Sequence, residues 1–300
     1  GTNGFYLPFE QDYTVEGFST VVYGGNGSSG HYIGGVGFSP DLLWIKERTS
    51  TSSHRLFDTV RGASIRLESD TTAAEATDTT NMTSFDTDGF TLGNSGSVNA
   101  SSDDYVAWNW DMGGTTASNT SGTITSSVRA NTTYGQSIVT YTGNGSDATV
   151  GTGLTQTPDL VITKRRTSAS EWWIVWHSGF CDSDGDWIAL NNSQAARING
   201  EVMYDASGFT SSTFGVRGGA TGVNVNGATQ VSYCFHNVAG YSKFSAYTGN
   251  NNTTGPVVEL GFSPAFIMIK DITAGNTWVM LDNTRNTSNP NTSLLQPQEA

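Results

Sequence analysis

Short apolar runs separated by polar turns make up most of this chain. Runs such as "DLLWIK", "DLVITK", "WWIVWH" and "AFIMIK" are rich in β-branched and aromatic residues and are bounded by Gly, Asn, Pro or Asp-Gly. Several alternate between apolar and polar positions, as strands buried on one face do. Helical patterning is nearly absent, and "TTAAEATDTT" (71–80) is the only candidate. The pattern predicts an all-β fold of the sandwich type, jelly-roll or concanavalin-like, with little helix.

One phrase is written three times. "GFSPDLLWIK" (37–46) returns as "GFSPAFIMIK" (261–270), and a weaker copy, "LTQTPDLVITK" (154–164), lies between them. In each copy a tyrosine precedes the proline by 17 residues and a lysine follows it by 6: Tyr23, Pro40, Lys46; Tyr141, Pro158, Lys164; Tyr247, Pro264, Lys270. Proline cannot donate to a strand ladder, so each should mark the beginning of a strand, with the lysine at its exit to solvent. The phrase is expected to form a core strand of a repeated unit.

Further matches extend the repeat. Asp58 and Arg61 in "LFDTVRG" correspond to Asp282 and Arg285, whereas the second copy has His177 and Phe180 at these positions. "DTDGFTLG" (86–93) aligns with "DASGFTSS" (205–212), and "DYVAWNW" (104–110) aligns with "QVSYCF" (230–235). The Asp-Arg pairs are expected to be surface turn locks worth ~0–1 kcal/mol.

The repeat divides the chain into five parts. Residues 1–16 end a preceding segment, 17–113 form repeat 1, 114–134 form a Ser/Thr/Gly-rich linker, 135–240 form repeat 2, and 241–300 form an incomplete repeat 3. A spacing above 100 residues fits independent domains better than solenoid units. The third copy reaches Ala300 without its closing strand, so either the chain continues or a neighbouring subunit is expected to complete it.

Composition and charge restrict the function classes. Acidic side chains exceed basic ones, 27 to 14, so the net charge is −13, and no basic stripe is available for phosphate contacts. This argues against nucleic acid and against anionic membrane surfaces. No apolar stretch is long enough for a transmembrane helix. Abundant Gly, Ser, Thr and Asn are typical of secreted or virion β-proteins.

A family resemblance follows from the set of phrases. "GFYLPF" (4–9), "YTGNG", "GFSPDLLWIK", "LFDTVRG", "TSFDTDGF", "YVAWNW" and "YSKFSAYTGN" carry it. Together they resemble a domain of unknown function found in tandem in tail-fibre and other virion-appendage proteins of marine phages, especially phages of cyanobacteria. The resemblance implies a rod-forming or receptor-facing structural protein of the virion, with other virion proteins as partners and no defined catalytic residue.

The first hypothesis is therefore a non-enzymatic part of a tail fibre that presents a host-adhesion surface. A homotrimer is expected from this class of protein, because a symmetric partner can cover sandwich edges. The alternative is a carbohydrate-binding module that recognises host cell-surface glycan. Its candidate contacts are Trp172, Trp173 and Trp176, since an exposed aromatic platform can stack on sugar rings. On a strand, Trp172 and Trp176 face one side and Trp173 faces the other, and a purely structural role in the core is the favoured interpretation.

Three acidic or thiol motifs complete the candidates. Asp182, Asp184 and Asp186 alternate around Gly185 as in a calcium loop, although the distal glutamate of an EF-hand is missing; the alternative is a solvated turn. Asp86 and Asp88 resemble a glycosidase pair, but Ser207 replaces the second aspartate in the other copy, so turn chemistry is favoured. His177 with Cys181 and Asp182 suggests a thiol nucleophile but lacks a family signature. Two cysteines cannot form a disulfide framework; Cys234 is interpreted as a small buried hydrophobe, and a Cys181–Cys234 bridge is the alternative.

Overall fold

The computed structural model describes residues 17–182, 184–198 and 200–300. The predicted all-β class is confirmed: short antiparallel strands form several sheets, and helix is confined to single turns. The predicted segment 1–16 lies outside the described residues. The candidate helix at 71–80 is wrong, since this stretch contains a short strand and turns.

The first part of the chain, 17–113, forms a four-stranded sheet facing a three-stranded sheet. Its strands, with one helical turn, are β1 (Phe18–Gly24), β2 (His31–Gly34), β3 (Leu42–Glu47), β4 (Arg55–Asp58), β5 (Ile65–Arg66), β6 (Ala76–Thr77), β7 (Met82–Asp86), β8 (Gly89–Leu92), α1 (Gly96–Asn99) and β9 (Asp104–Trp110). The larger sheet has the order β1-β9-β3-β4 and the smaller one the order β2-β8-β7. A cluster that includes Ile33, Leu43 and Phe90 packs between them.

The second part repeats this order. Its strands, with a 3-10 turn at Ala206–Gly208, are β10 (Ala117–Asn119), β11 (Ser126–Asn131), β12 (Gln136–Thr142), β13 (Ala148–Gly151), β14 (Leu160–Arg165), β15 (Trp173–His177), β16 (Ile188–Ala189), β17 (Tyr204–Asp205), β18 (Thr213–Val216) and β19 (Thr229–Phe235). Within the seven-stranded sheet β10-β11-β12-β19-β14-β15-β16, the central order β12-β19-β14-β15 corresponds to β1-β9-β3-β4. The facing sheet β13-β18-β17 corresponds to β2-β8-β7.

The predicted linker 114–134 is part of a sheet. β10 and β11 lie in it and extend the large sheet of the second part through antiparallel pairing with β12. Val128 is buried against the core of that part, which explains why a Ser- and Thr-rich stretch is held in strand form. Low hydrophobicity alone did not reveal this, because the strand is an edge addition with few buried side chains.

The third part contributes one hairpin, β20 (Phe266–Ile269) with β21 (Val279–Asp282). As predicted, β3, β14 and β20 each begin two residues after the proline of the repeated phrase, Pro40, Pro158 or Pro264.

One large hydrophobic cluster joins all three parts. Leu42 and Trp108 from the first part, Ile162 and Tyr233 from the second, and Trp278 and Met280 from the third all belong to this shared core. The first and second parts each have a sandwich core of their own, and this shared core packs all three parts together. We call them segment 1 (17–113), segment 2 (114–240, with β10 and β11) and segment 3 (241–300).

The shared core explains a departure from the expected one-sided strands. In β3, Leu43 and Ile45 face the sandwich core of segment 1, while Leu42 and Trp44 face the shared core. The strand is consequently buried at every position. Burial on both faces replaces alternation with a continuous apolar run.

Candidate functional site

Three hydrogen bonds connect the segments in a closed ring around the shared core. The indole Nε1 of Trp173 in segment 2 donates to the carbonyl of Glu68 in segment 1 at 2.8 Å. Trp278 of segment 3 donates in the same way to Ala189 of segment 2 at 2.9 Å. The ring closes where His54 Nε2 of segment 1 lies 3.0 Å from the carbonyl oxygen of Gln296 in segment 3.

The donors and acceptors of this segment ring occupy corresponding places in their local ladders. In each case the residue two positions after the donor forms a β pair with the residue one position before the acceptor. These pairs are Leu56 with Leu67, Val175 with Ile188, and Met280 with Leu295. The bonds run in one rotational sense, from segment 2 to 1, from 3 to 2 and from 1 to 3. The segments therefore contact one another with an approximately threefold cyclic arrangement.

His54 differs from the two tryptophans by accepting a second bond. Trp44 Nε1 donates to His54 Nδ1 at 2.7 Å, so the proton of a neutral imidazole must lie on Nε2, where it can reach Gln296. The side chain is fully buried, and this burial, with the charge of Lys46 nearby, lowers the pKa of His54 to about 3. The imidazole is therefore a neutral bridge between segments 1 and 3.

The lysines that end the repeated phrase do not exit to solvent as predicted. Lys46 and Lys164 are buried, and Lys270 is partly buried. Lys164 Nζ donates to the Thr72 carbonyl of segment 1 at 3.1 Å, and Lys270 Nζ donates to the Ser193 carbonyl of segment 2 at 3.2 Å. Burial lowers the pKa of Lys164 to about 8, while Glu171 favours its charged form. These ammonium groups satisfy carbonyls across the segment boundaries.

The Asp-Arg pairs are also buried rather than superficial. Asp58 and Arg61 have no exposed side-chain surface, and their Oδ2–Nε distance is 2.5 Å. Tyr233 of segment 2 donates its hydroxyl to Asp58 at 2.9 Å. The turn lock predicted for these residues is confirmed in its geometry, since Asp58 also accepts the Arg61 amide, but its predicted surface position is wrong.

The second pair, Asp282 with Arg285, repeats the arrangement. Their Oδ2–Nε distance is again 2.5 Å, and Trp108 of segment 1 donates its indole N–H to Asp282 at 3.1 Å. Trp108 and Tyr233 hold equivalent register positions, opposite Trp44 in β3 and Ile162 in β14. Each pair thus fixes the central strand of a neighbouring segment.

Two tryptophans of the predicted aromatic platform, Trp173 and Trp176, are buried. The predicted alternation holds, because Trp173 faces the shared core whereas Trp176 faces the core of segment 2. Trp173 is 0 % exposed and Trp176 is 6 % exposed, so neither can stack on a sugar in this structure. Both sides of this strand are covered, which the sequence did not reveal.

Trp172 is partly accessible, but its ring is engaged by protein groups. Its centroid lies 5.7 Å from that of Trp187, and the guanidinium carbon of Arg197 lies 5.6 Å from the Trp172 centroid. This cation–π contact covers part of the surface that a sugar would need. Trp172 is the one member of the predicted glycan-binding set that retains an accessible ring.

The acidic loop forms protein contacts on both described sides of residue 183. Asp184 accepts the Ala206 amide at 2.8 Å and forms an ion pair with Arg217. Asp186 is buried and accepts the Asp182 amide at 3.2 Å. Across the described residues, no group of three or more His, Cys, Asp or Glu side chains is arranged to hold a metal ion. Calcium on Asp182, Asp184 and Asp186 stays a prediction.

His177 and Cys181 meet through the backbone. The His177 imidazole accepts the Gly179 amide at its Nδ1, while the Cys181 sulfur accepts the His177 amide at 3.4 Å. Burial raises the pKa of the Cys181 thiol to about 12, so the thiol is protonated at neutral pH. Cys181 and Cys234 are both free and buried, so the alternative disulfide is not formed.

Asp86 and Asp88 are occupied in stabilising turns. Asp86 accepts the hydroxyls of Ser84 and Thr91, and Asp88 accepts the amides of Gly35 and Gly37. Gly89 has φ +152, and a Cβ there would lie 1.9 Å from the Ile33 carbonyl oxygen. These contacts agree with the interpretation as turn chemistry.

An open cavity of about 510 Å³ lies where segment 1 meets β11, and its lining includes Asp41 and Arg129. Burial raises the pKa of Asp41 to about 7, although Arg129 lies 2.9 Å away. Such a carboxyl resembles a general acid, but Asp41 also accepts the Met112 amide at 3.0 Å. Asp159 accepts the Asn237 amide in the same way, which assigns both to clamping the end of a central strand.

Two residues with a clear role, Asn99 and Asn224, were not found from the sequence. Asn99 accepts the Asn26 amide at 2.9 Å, and Asn224 accepts the Asn144 amide at 3.0 Å. The repeated tyrosines also bond these loops, since the Tyr23 and Tyr141 hydroxyls donate to Val98 and Val223. A Val-Asn pair six residues before Tyr105 and before Gln230 was the available signal.

The comparisons with known proteins give one family. Residues 14–300 match a domain of unknown function, DUF7483, and the chain belongs to this family. No curated protein and no solved structure matches the chain. No helix in the described part is long and apolar enough to cross a membrane.

Proposed function

We propose that this DUF7483 protein is a structural component of a phage virion, part of a tail fibre or similar appendage that presents a host-adhesion surface. In this proposal the chain is a tandem array of one β module, two complete copies and a partial third. Other virion proteins are its partners, and the protein is not an enzyme. The marine-phage origin comes from the resemblance of the repeated phrases described above.

The observation that carries the proposal is the segment ring formed by Trp173, Trp278 and His54. Equivalent positions in three segments donate to equivalent carbonyls in one rotational sense. The matching strand orders β1-β9-β3-β4 and β12-β19-β14-β15 support the same view. A cyclic arrangement of like modules suits a fibre, whose sections follow threefold symmetry in the expected homotrimer.

The residues that suggested chemistry support a structural role as well. Asp86, Asp88 and Cys181 each use their polar atoms in holding turns. Buried hydrogen-bonded networks of this kind rigidify a fold when every member is satisfied. A rigid body of this kind suits an appendage.

Mass spectrometry of purified virions tests this proposal. Virions from a phage that carries this sequence should contain its peptides, and gold-labelled antibodies against the purified chain should mark an appendage. Peptides found only in infected-cell lysate, and never in purified virions, would overturn it. Light scattering of the purified chain then separates a homotrimer from a 31.8 kDa monomer whose own segments supply the threefold arrangement.

The alternative function, binding of host-surface glycan, rests on Trp172. Its partly accessible ring lies beside Trp187 and Arg197, an aromatic and cationic surface on which a sugar can stack after Arg197 turns away. A glycan array with the native chain and Trp172→Ala tests it, with Tyr32→Ala as an exposed aromatic control. Binding that is lost in Trp172→Ala and retained in Tyr32→Ala would support this function.

A further inference from the structure

The hairpin of segment 3 has an unpaired edge, whereas the corresponding edges in segments 1 and 2 are each paired with a strand. β3 pairs with β4 on one side and β9 on the other, and β14 pairs with β15 and β19. β20 pairs with β21, and among residues 17–182, 184–198 and 200–300 no strand pairs with its second edge. An unpaired edge presents a row of backbone donors and acceptors.

We propose that this edge of β20 is a docking site for an antiparallel β-strand supplied by a partner, with aromatic residues at alternate positions as in β9. Segments 1 and 2 each show the strand that pairs with the corresponding edge. In segment 1, Trp110 lies opposite Leu42 and Trp108 opposite Trp44. In segment 2, Phe235 lies opposite Leu160 and Tyr233 opposite Ile162.

The repeated phrase places Phe266 and Met268 at the corresponding positions of β20. Both are only partly buried, whereas Leu42, Trp44, Leu160 and Ile162 are buried beneath their paired strands. A strand with aromatic side chains at alternate positions would bring these two residues to the burial of their counterparts. Apolar burial and main-chain bonds would both contribute, as in other cases of strand addition.

Other side chains of segment 3 are exposed where their counterparts in segments 1 and 2 are covered. Tyr247 is 50 % exposed, whereas its counterparts Tyr23 and Tyr141 donate hydroxyl bonds to Val98 and Val223. Val257 is 89 % exposed, while Ile33 at the equivalent offset in segment 1 is 7 % exposed. These side chains are those that a completed module covers.

The contacts of the buried aspartates also indicate which residue of the neighbouring segment the incoming strand would meet. In segment 2, His177 holds the position of Asp58 and Asp282. Its ring stacks on that of Phe180, with the centroids 6.0 Å apart. Trp108 and Tyr233 donate to the two aspartates, so the corresponding residue of the partner strand would face His177. The imidazole and ring offer an aromatic contact where the other two boundaries have an ion pair.

The site has one weakness that makes the proposal testable. Asp41 and Asp159 accept the amides that follow β9 and β19, at 3.0 and 2.8 Å. Segment 3 has Ala265 at this position. A carboxylate bond to an amide is worth roughly a tenfold change in affinity, so Ala265→Asp should tighten binding of such a strand roughly tenfold.

The experiment uses a fluorescein-labelled synthetic peptide of residues 103–112, "DDYVAWNWDM", added to the full chain. Anisotropy should show saturable binding, and hydrogen exchange should show new protection of residues 266–269. A scrambled peptide of the same composition, in which the aromatic residues no longer alternate, should do neither. Ala265→Asp should increase the affinity for the native peptide without changing the weak response to the scrambled one.

Three results would overturn the proposal. Equal binding of native and scrambled peptides would mean non-specific adhesion to apolar surface. Protection, in the free chain, of the β20 amides that point away from β21 would mean that the edge is filled. Binding of the native peptide without new protection of β20 would place the strand elsewhere. These results concern the β20 edge and leave the virion proposal to its own test.

Discussion

Acid should weaken this protein through His54, which bridges segments 1 and 3 in its neutral form. Its Nδ1 accepts from Trp44 at 2.7 Å, and its Nε2 lies 3.0 Å from the Gln296 carbonyl oxygen. Protonation would place a second N–H against the indole donor inside the core. Burial accordingly lowers the folded-state pKa to about 3, below the ordinary value of 6.5.

The sign follows from proton binding. Between pH 6.5 and about 3 the unfolded chain holds a proton on this imidazole and the folded chain does not, so the free energy of unfolding falls as the pH falls. Stability from this group is fully present above pH 6.5. At pH 5, which is 1.5 units below 6.5, the free energy of unfolding has fallen by about 2 kcal/mol, at ~1.4 kcal/mol per pH unit.

Urea denaturation followed by tryptophan fluorescence at pH 7.5 and pH 5.0 measures this effect. His54→Gln keeps an acceptor for Trp44 and a donor for Gln296 but does not titrate. Groups common to both proteins cancel, so the native chain should lose about 2 kcal/mol more than His54→Gln between these pH values. Equal acid sensitivity of native chain and His54→Gln would refute the reasoning.

Three further predictions concern the boundaries between segments and the buried thiols. Trp173→Phe leaves the Glu68 carbonyl without its donor and should lower the free energy of unfolding by about 1–3 kcal/mol in urea, whereas Trp172→Phe should cost less. Arg61→Ala leaves the Asp58 carboxylate buried and unpaired and should cost about 3–5 kcal/mol, against below about 1 kcal/mol for Arg217→Ala in an exposed network; similar costs would contradict the assigned burial. Cys181 and Cys234 should resist a thiol reagent at pH 8 in the native state and react in urea, because both are buried with raised pKa values; rapid native labelling would count against this placement.

Local patterning was enough to determine many of the strands and turns, although not β10 and β11 in the predicted linker. Pro40, Pro158 and Pro264 fix where strands begin because the ring lacks an amide proton, and this constraint acts within a few residues. The Asp88–Gly89 turn is likewise favoured locally, since glycine readily adopts the φ of +152 that this turn requires. The all-β class, the repeated phrase and the alternation of Trp172, Trp173 and Trp176 could all be predicted from such short-range rules.

Only the tertiary structure decided what the outward faces of those strands contact. Lys164 and Asp58 are polar residues that a sequence pattern assigns to the surface, yet both are buried and hydrogen-bonded to a residue of another segment. The ring from Trp173 to Glu68, Trp278 to Ala189 and His54 to Gln296 joins residues about 90 to 240 positions apart. Periodicity reports which side of a strand is apolar, and it carries no information on which distant chain segment covers that side.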